Sequence, residues 1–402
     1  MIAWRPMRPS ETRVLRESPG FSVYLEADER GDAWKKFRSE SYNYDFRIRD
    51  GLFNRWGRTV ETADDPDMSL FGPEILDLEI TDICQGVDGK HCQYCYKSNT
   101  PNGRNMSLDT FRTVIGKIDY NSQLTQVAFG LGSTASENPD LWAMCDYLRE
   151  RHIVPNGTVA QLDDRHAGMI AASFGGCAVS YHGSFEILAD TVRKLTDRLG
   201  DPGGKLAQVN VHFMIAEETY DDVLKLFDIV KSDDRFRFLN AIVLLGLKRC
   251  GRAREGFTKL SDAKFENIVK TAFAKRVGLG FDSCQANKFS LVATKMANEK
   301  IAEWQTPGNR SAEHAARVGR ERKRLDAILQ TVEPCEGSCF SAYVNVDGVY
   351  YHCSFMEQSG TLTGFDLRDG DFRDYWEGKT GDVPEWRRRL RESGRSCPEY
   401  DV

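Results

Sequence analysis

Long hydrophobic runs are missing from this 402-residue sequence. The longest strongly apolar stretch, Leu239 to Leu247, reaches about half of the roughly 20 residues that cross a bilayer, and Met1 to Ser10 lacks the apolar segment of a secretory leader. These absences exclude a membrane-embedded or exported protein and lead us to expect a cytoplasmic one. A strong net charge is missing too: 54 Lys and Arg against 60 Asp and Glu leave −6, which gives no global attraction to nucleic acid or anionic lipid. With 34 Gly, 13 Pro and 11 Cys, collagen-like, disordered and disulfide-scaffold classes are excluded as well. What remains, 41% apolar and 28% charged residues, is the composition of a folded chain long enough for a large core with appendages.

Charge is uneven locally. Met1 to Val60 carries 12 basic against 9 acidic residues together with 10 aromatics, so this part is +3 and the remainder −9. Arg317 to Arg324 and Arg387 to Arg391 are also basic. Such stretches read either as solvated helix faces or as patches for a phosphate backbone or acidic peptide.

From Ile75 onward, apolar runs of strand length alternate with amphipathic stretches of helix length. Strands are expected at Ile75 to Ile83, Leu124 to Phe129, Ile153 to Ala160, Cys177 to Tyr181, Gln208 to Ile215 and Phe238 to Leu247. Helices are expected at Leu108 to Lys117, Pro139 to Arg151, Asp164 to Ser173, Phe185 to Leu199, Tyr220 to Ser232 and Ser261 to Lys275. Six parallel units of this kind make a partial β/α barrel or a doubly wound sheet, and periodicity does not choose between them. Before them lies an aromatic-rich N-terminal extension, 1–73, without a legible strand order. After the barrel segment, 74–276, comes 277–402, which reads as a small cysteine-bearing domain. There a charged helix spans Ser311 to Thr331, and a hairpin pairs Ala342 to Val346 with Val349 to His352 around Asp347-Gly348.

The cysteines are clustered. Cys84-x7-Cys92-x2-Cys95 lies directly after the first barrel strand, where residues at strand carboxyl ends face the active site of such folds. Three thiols there suit an iron-sulfur cluster with one open iron, a zinc site with His91 as fourth ligand, or buried core cysteines. A second set follows: Cys284, Cys335, Cys339, Cys353 and Cys397. Cys145 and Cys177 read as core, and Cys250 is left open. Asn210 and His212 share one strand face and point into the barrel. Glu217-Glu218-Thr219 reads as a helix N-terminal cap. Tyr181 and His182 are candidates to line a pocket, and Asp282 to stand behind Cys284.

Tyr94 before Cys95, with the order strand, cysteine loop, helix, resembles the radical S-adenosylmethionine (SAM) enzymes, whose usual signature is Cys-x3-Cys-x2-Cys. Here seven residues, Gln85 to His91, replace three, and Gly86 and Gly89 ease the longer turn. The resemblance implies a partial (β/α)6 TIM-like barrel holding a [4Fe-4S] cluster on Cys84, Cys92 and Cys95, with S-adenosylmethionine on its open iron. It further implies cofactor contacts at Gly130, Gly132 and Ser133, where the family's acidic residue is absent. Ser180 would meet the ribose, and the backbone from Lys248 to Arg252 the adenine. The implied chemistry is reductive cleavage to methionine and a 5'-deoxyadenosyl radical that takes hydrogen from a substrate carbon. An external one-electron donor of flavodoxin or ferredoxin type is implied as partner.

The second cysteine set, with the hairpin Cys339 to Cys353, resembles the auxiliary-cluster extensions called SPASM or twitch domains. That resemblance implies a second iron-sulfur cluster on four of the five, with Cys284, Cys335, Cys353 and Cys397 favoured and Cys339 interchangeable with Cys335. A zinc knuckle is the structural alternative. Gly130 to Trp142, together with the Phe340 to Gly348 segment, is similar to a branch found in bacteria and phages. Some members resemble isomerases that move a glycyl group on thymine from a nitrogen to a carbon attachment in DNA hypermodification. The expected substrate is thus a modified DNA base, met in the host cytoplasm if the chain is phage-encoded. The aromatic, basic N-terminal extension would take the extruded base and its backbone. Alternatives are a ribosomal-peptide maturase making a crosslink or epimer, and a zinc-bearing non-catalytic binding protein.

Overall fold

The computed structural model describes residues 7–57, 66–305, 311–330, 332–358 and 364–400. Parts of the expected N-terminal extension (1–6 and 58–65), the expected helix end at Thr331, and 401–402 lie outside the described residues. Along the extension, aromatic and basic residues alternate and fold as an antiparallel meander. Its strands are β1 (Thr12–Ser18), β2 (Phe21–Ala27), β3 (Ala33–Ser39), β4 (Asn43–Arg47) and β5 (Phe53–Trp56), paired in that order. One face buries Val23, Leu25, Phe37, Tyr44 and Phe46 with the period of two that a half-buried sheet requires. Lys35 lies on that buried face, and its ammonium donates to the Leu124 carbonyl at 2.6 Å.

The second sheet begins with β6 (Ile75–Glu79) and continues through α1 (Leu108–Ile118), β7 (Gln126–Gly130), α2 (Leu141–Glu150), β8 (Val154–Val159), α3 (Asp164–Ser173) and β9 (Gly176–Ser180). It goes on with α4 (Phe185–Thr196), β10 (Gln208–Ile215), α5 (Tyr220–Ser232), β11 (Ala241–Gly246), α6 (Asp262–Lys275) and β12 (Leu279–Phe281). The parallel pairs follow strict chain order from β6 to β12. A doubly wound sheet would reverse direction at a switch point, so the winding is that of a partial barrel. Beyond the six expected strands, β12 adds a short seventh whose three residues are too few to show a period. On the other side of β6 the sheet gains β13 (Ser341–Val344) in parallel, then β14 (Val349–Tyr351) and β15 (Phe365–Asp366) in antiparallel. Helices α7 (Ala286–Gln305) and α8 (Ala312–Leu329) pack on one another, and α9 (Phe372–Trp376) and α10 (Val383–Glu392) close the chain. No helix among the described residues is long and apolar enough to cross a membrane.

Three expectations are corrected. The β13–β14 turn spans Asn345 to Gly348 rather than Asp347-Gly348 alone. The Gly348 N–H closes it on the Asn345 carbonyl, and Asn345 Oδ1 accepts from the backbone of Asp347 and Val349. Arg387 to Arg391 forms no phosphate patch. Arg387 is buried and donates to the carbonyls of Ser338 and Trp376, while Arg388 pairs with Glu385 and Glu392.

The third concerns the meander, which docks at the amino ends of the barrel strands. Tyr44 donates to the Gln123 carbonyl, Tyr42 to Glu74, and Arg55 pairs with Glu74, all just before β6 or β7. Among its described aromatics, Phe37, Tyr42, Tyr44 and Phe46 are buried, and Arg38 and Arg47 cover the rings of Trp56 and Trp34. Arginine and aromatic residues satisfy each other as well as they satisfy a base, so composition could not separate a packed sheet from a binding surface.

Candidate cluster and cofactor site

Leu76 and Leu78 of β6 pack into the helical layer, so Ile75, Asp77 and Glu79 face the barrel interior. After Glu79 the chain leaves the strand's carboxyl end in a loop that reaches α1 and carries Cys84, Cys92 and Cys95. The seven-residue insert is a small closed hairpin in which Val87 and Lys90 exchange backbone hydrogen bonds at 2.9 Å. Gly86 has φ +76°, and a Cβ there would lie 2.4 Å from the Lys90 carbonyl oxygen, so only glycine fits. The insert thus folds on itself and returns the chain to Cys92.

The three thiols are half-buried and close enough to repel one another. Burial pushes the Cys92 thiol up to about 12; Cys95 and Cys84 add to the shift, and Arg252 opposes it. The Gly86 N–H donates to Cys84 Sγ at 3.4 Å. Arg252, in the loop after β11, donates to the carbonyls of Cys92 (2.8 Å) and Asn99 (3.1 Å), and its N–H bonds the Cys95 carbonyl. Tyr94 donates to the Tyr181 carbonyl, which ties the loop to the end of β9, and its ring stacks near His182. Burial holds His182 near a pKa of about 4, so it is neutral. Lys97 bridges Glu79 (3.0 Å) and Glu357 and reaches the Tyr343 hydroxyl, joining the loop to the β13–β14 region.

The cofactor candidates lie around this mouth. Gly130 pairs in register with Glu79, and the turn after it is filled by a residue the sequence reading missed. The carboxylate of Glu137 accepts from the backbone of Ser133 (2.8 Å), Thr134 (3.1 Å) and Ser136 (3.0 Å) and from the Ser133 hydroxyl. A Cβ on Gly132 would collide with that carboxylate at 2.4 Å. The acidic group absent from the turn itself therefore returns from a few residues downstream; its signal was Thr134-x2-Glu137, a capping-box spacing. Ser180 closes β9, half-exposed, in register with His212. Lys248 is buried and paired with Asp282; burial opposes its charge, but Asp282 and the nearby Cys284 hold its pKa above the ordinary value.

The second set gathers from four segments. Cys284, Cys335, Cys353 and Cys397 influence one another electrostatically. Burial raises all of the first three, Cys335 to about 11 and Cys353 to about 12. The Tyr400 N–H donates to Cys397 Sγ at 3.3 Å. Cys339 lines a small hollow with Arg387, Leu390, Arg391 and Arg395, and Cys335 feels its charge. A ring contact links the two sets, with Tyr96, next to Cys95, and Phe355, near Cys353, 4.6 Å apart.

Of the other expected residues, Cys145 and Cys177 are buried in the core and Cys250 is buried beside Lys248. His91 is exposed. Glu217 and Glu218 do not cap α5. They accept from Ser261 and Thr258 at the start of α6, and Thr219 Oγ1 caps the turn instead. A groove of about 590 Å³ opens on the outer rim between α3 and α4; its charged groups Glu186, Asp190 and Lys194 are held in ion pairs. Among the described residues, no three or more His, Cys, Asp or Glu side chains are gathered around a single ion-sized point. By chemistry, both cysteine sets fit sulfur-ligated iron clusters: the thiols within each set feel one another electrostatically, and backbone N–H groups donate to the sulfurs of Cys84 and Cys397.

No family model and no curated protein matches this sequence. Solved structures do resemble it. SuiB of Streptococcus suis, bound to its precursor peptide SuiA, superimposes with a TM-score of 0.53 at 12% identity, over 76% of this chain and 65% of that one. SuiB bound to S-adenosylmethionine gives 0.50 at 12% identity, over 76% and 66%. The chain therefore covers just under two thirds of SuiB's length, and at this identity the likeness establishes a shared fold.

Proposed function

We propose that this chain is a radical SAM enzyme with an auxiliary iron-sulfur cluster. The observation that carries the reading is the convergence of Cys84, Cys92 and Cys95 on one clamped loop at the carboxyl end of the first barrel strand, in a fold shared with a protein that binds S-adenosylmethionine. Bound there, a reduced [4Fe-4S] cluster with S-adenosylmethionine supplies a 5'-deoxyadenosyl radical for hydrogen abstraction. The chain's own part is positional. Cys84, Cys92 and Cys95 hold the iron, and Arg252 and Tyr94 fix their loop against β11 and β9. The turn Gly130 to Ser133, stiffened by Glu137, with Ser180 and the backbone from Lys248, takes the polar groups of the cofactor. Cys284, Cys335, Cys353 and Cys397 hold the second cluster, and a flavodoxin- or ferredoxin-type protein delivers electrons.

For substrate we propose a glycyl-modified thymine in DNA, isomerised from nitrogen to carbon attachment, on the strength of the motif likeness over Gly130 to Trp142 and Phe340 to Gly348. The test is anaerobic incubation of reconstituted protein with reductant, S-adenosylmethionine and DNA bearing the N-linked glycyl thymine, followed by digestion to nucleosides. An isomer of unchanged mass is expected, together with 5'-deoxyadenosine. Absence of the isomer in a preparation that releases 5'-deoxyadenosine overturns the substrate; absence of both, or zinc in place of iron and sulfide, overturns the class. The fold shared with SuiB in its complex with a precursor peptide favours a second reading, peptide maturation by crosslinking or epimerisation.

A further inference from the structure

The inner face of the barrel is polar, and nearly every polar group on it is already answered by a neighbour. Asn156 donates to Gln126 at 2.8 Å and accepts from the Gly176 backbone. Asn240 donates to Asn210 at 2.9 Å and to Gln208. Thr158 meets His212 at 3.4 Å, and Glu79 is paired with Lys97. Asp77 is different. It has no hydrogen bond or ion pair among the described residues, although it sits in the middle of β6 with β13 on one side and β7 on the other. Its register partners are Tyr343 and the small Ala128, beyond which Asn156 follows on β8. The carboxylate is reached by solvent on the face of β6 opposite the buried Leu76 and Leu78, the inward face of the barrel, and surrounding protein raises its pKa to about 6. Tyr96, the residue after Cys95, lies within reach of its charge, so Asp77 is on the cysteine-loop side of the barrel.

A carboxylate on the inner wall of a barrel with no cation beside it is completed by a ligand that brings the opposite charge. We infer that Asp77 is the substrate anchor of the barrel and that the group it takes is a protonated amine. This rests on the radical SAM reading and deepens it, because the amine of the glycyl group is the part of the proposed substrate whose attachment changes. Asp77 would hold it by a charge-assisted hydrogen bond while Tyr343 and Asn156 border the rest of the group.

The pH dependence follows from the groups that face Asp77. Tyr343 on β13 and Tyr351 on β14 are raised and stay neutral, and so does Tyr96 on the cysteine loop. His212 on β10 is lowered to about 4 and is also neutral. Glu79, itself raised by burial, stands against Lys97 and Glu357. Between pH 7 and pH 5 the unpaired group that loses its charge is Asp77, so affinity for a cationic substrate falls as pH is lowered through about 6.

The experiment measures fluorescence anisotropy of a labelled single-stranded oligonucleotide carrying N-linked glycyl thymine, against the same oligonucleotide N-acetylated on that amine, with reconstituted full-length protein. Wild type is expected to prefer the amine about tenfold at pH 7 and to lose the preference by pH 5. In D77N the preference is absent at both values, while iron content and substrate-free release of 5'-deoxyadenosine stay as in wild type. A D77N protein that keeps the preference, or a wild type that shows none, overturns the inference. Failure of the radical reading is seen separately, as absence of 5'-deoxyadenosine from wild type whatever the binding shows.

Discussion

The two cysteine sets are built in opposite ways. Cys84, Cys92 and Cys95 come from one loop whose shape is fixed largely by its own backbone, with Gly86 and the Val87–Lys90 closure inside it and Arg252 as an outside clamp. Cys284, Cys335, Cys353 and Cys397 come from four separate segments, after β12, before β13, after β14 and after α10, that meet only in the folded chain. A local set can form before the rest of the chain is packed, whereas a dispersed set closes long loops and so links metal loading to the integrity of the whole fold.

The largest effect that would test this contrast is at the mouth. Cys92→Ser should abolish release of 5'-deoxyadenosine, leaving the signal below one hundredth of wild type, while thermal unfolding stays close to wild type. A Cys92→Ser protein that unfolds early would break the contrast. Next comes the second set, compared with its neighbour. Cys353→Ser should reduce iron content and lower thermal stability by roughly 2–4 kcal/mol, the scale of losing a link across long loops, whereas Cys339→Ser should leave iron unchanged. Equal iron loss in the two would mean that Cys339 is a ligand and that the arginine-lined side is the cluster side. The smallest expected effect is Gly86→Ala. Its left-handed φ and the carbonyl in the way should cost about 1–3 kcal/mol locally, read as slower iron reconstitution at the mouth with the second cluster unaffected. Loss of both clusters in Gly86→Ala would show that the local loop also depends on the global fold.

The barrel was legible because short apolar runs of strand length alternate with amphipathic stretches of helix length, as expected where both faces of a parallel sheet are covered; β9, buried at four consecutive residues, is the clearest case. The meander was not, because Lys35 occupies a core position and its charge interrupts the apolar alternation; the Leu124 carbonyl, 89 residues away, and the charge of Asp119 make that burial tolerable. Arg387 misled in the same manner: a basic run reads as solvated until its partners, the carbonyls of Ser338 and Trp376, are brought to it. Glu137 was visible as a residue but not as the filler of the Gly130 to Ser133 turn, since backbone N–H groups carry no mark in a sequence.

By itself the sequence determined the alternation of strands and helices, the placing of three cysteines at a strand's carboxyl end, and the glycine that lets their loop turn back, all of them consequences of neighbours along the chain. That Cys284, Cys335, Cys353 and Cys397 come within electrostatic reach of one another, which arginines are buried, and that Asp77 has no partner among the described residues were decided by tertiary structure. Electrostatic partnership depends on distance in space, and residues hundreds of positions apart acquire it only when the strands between them are in register.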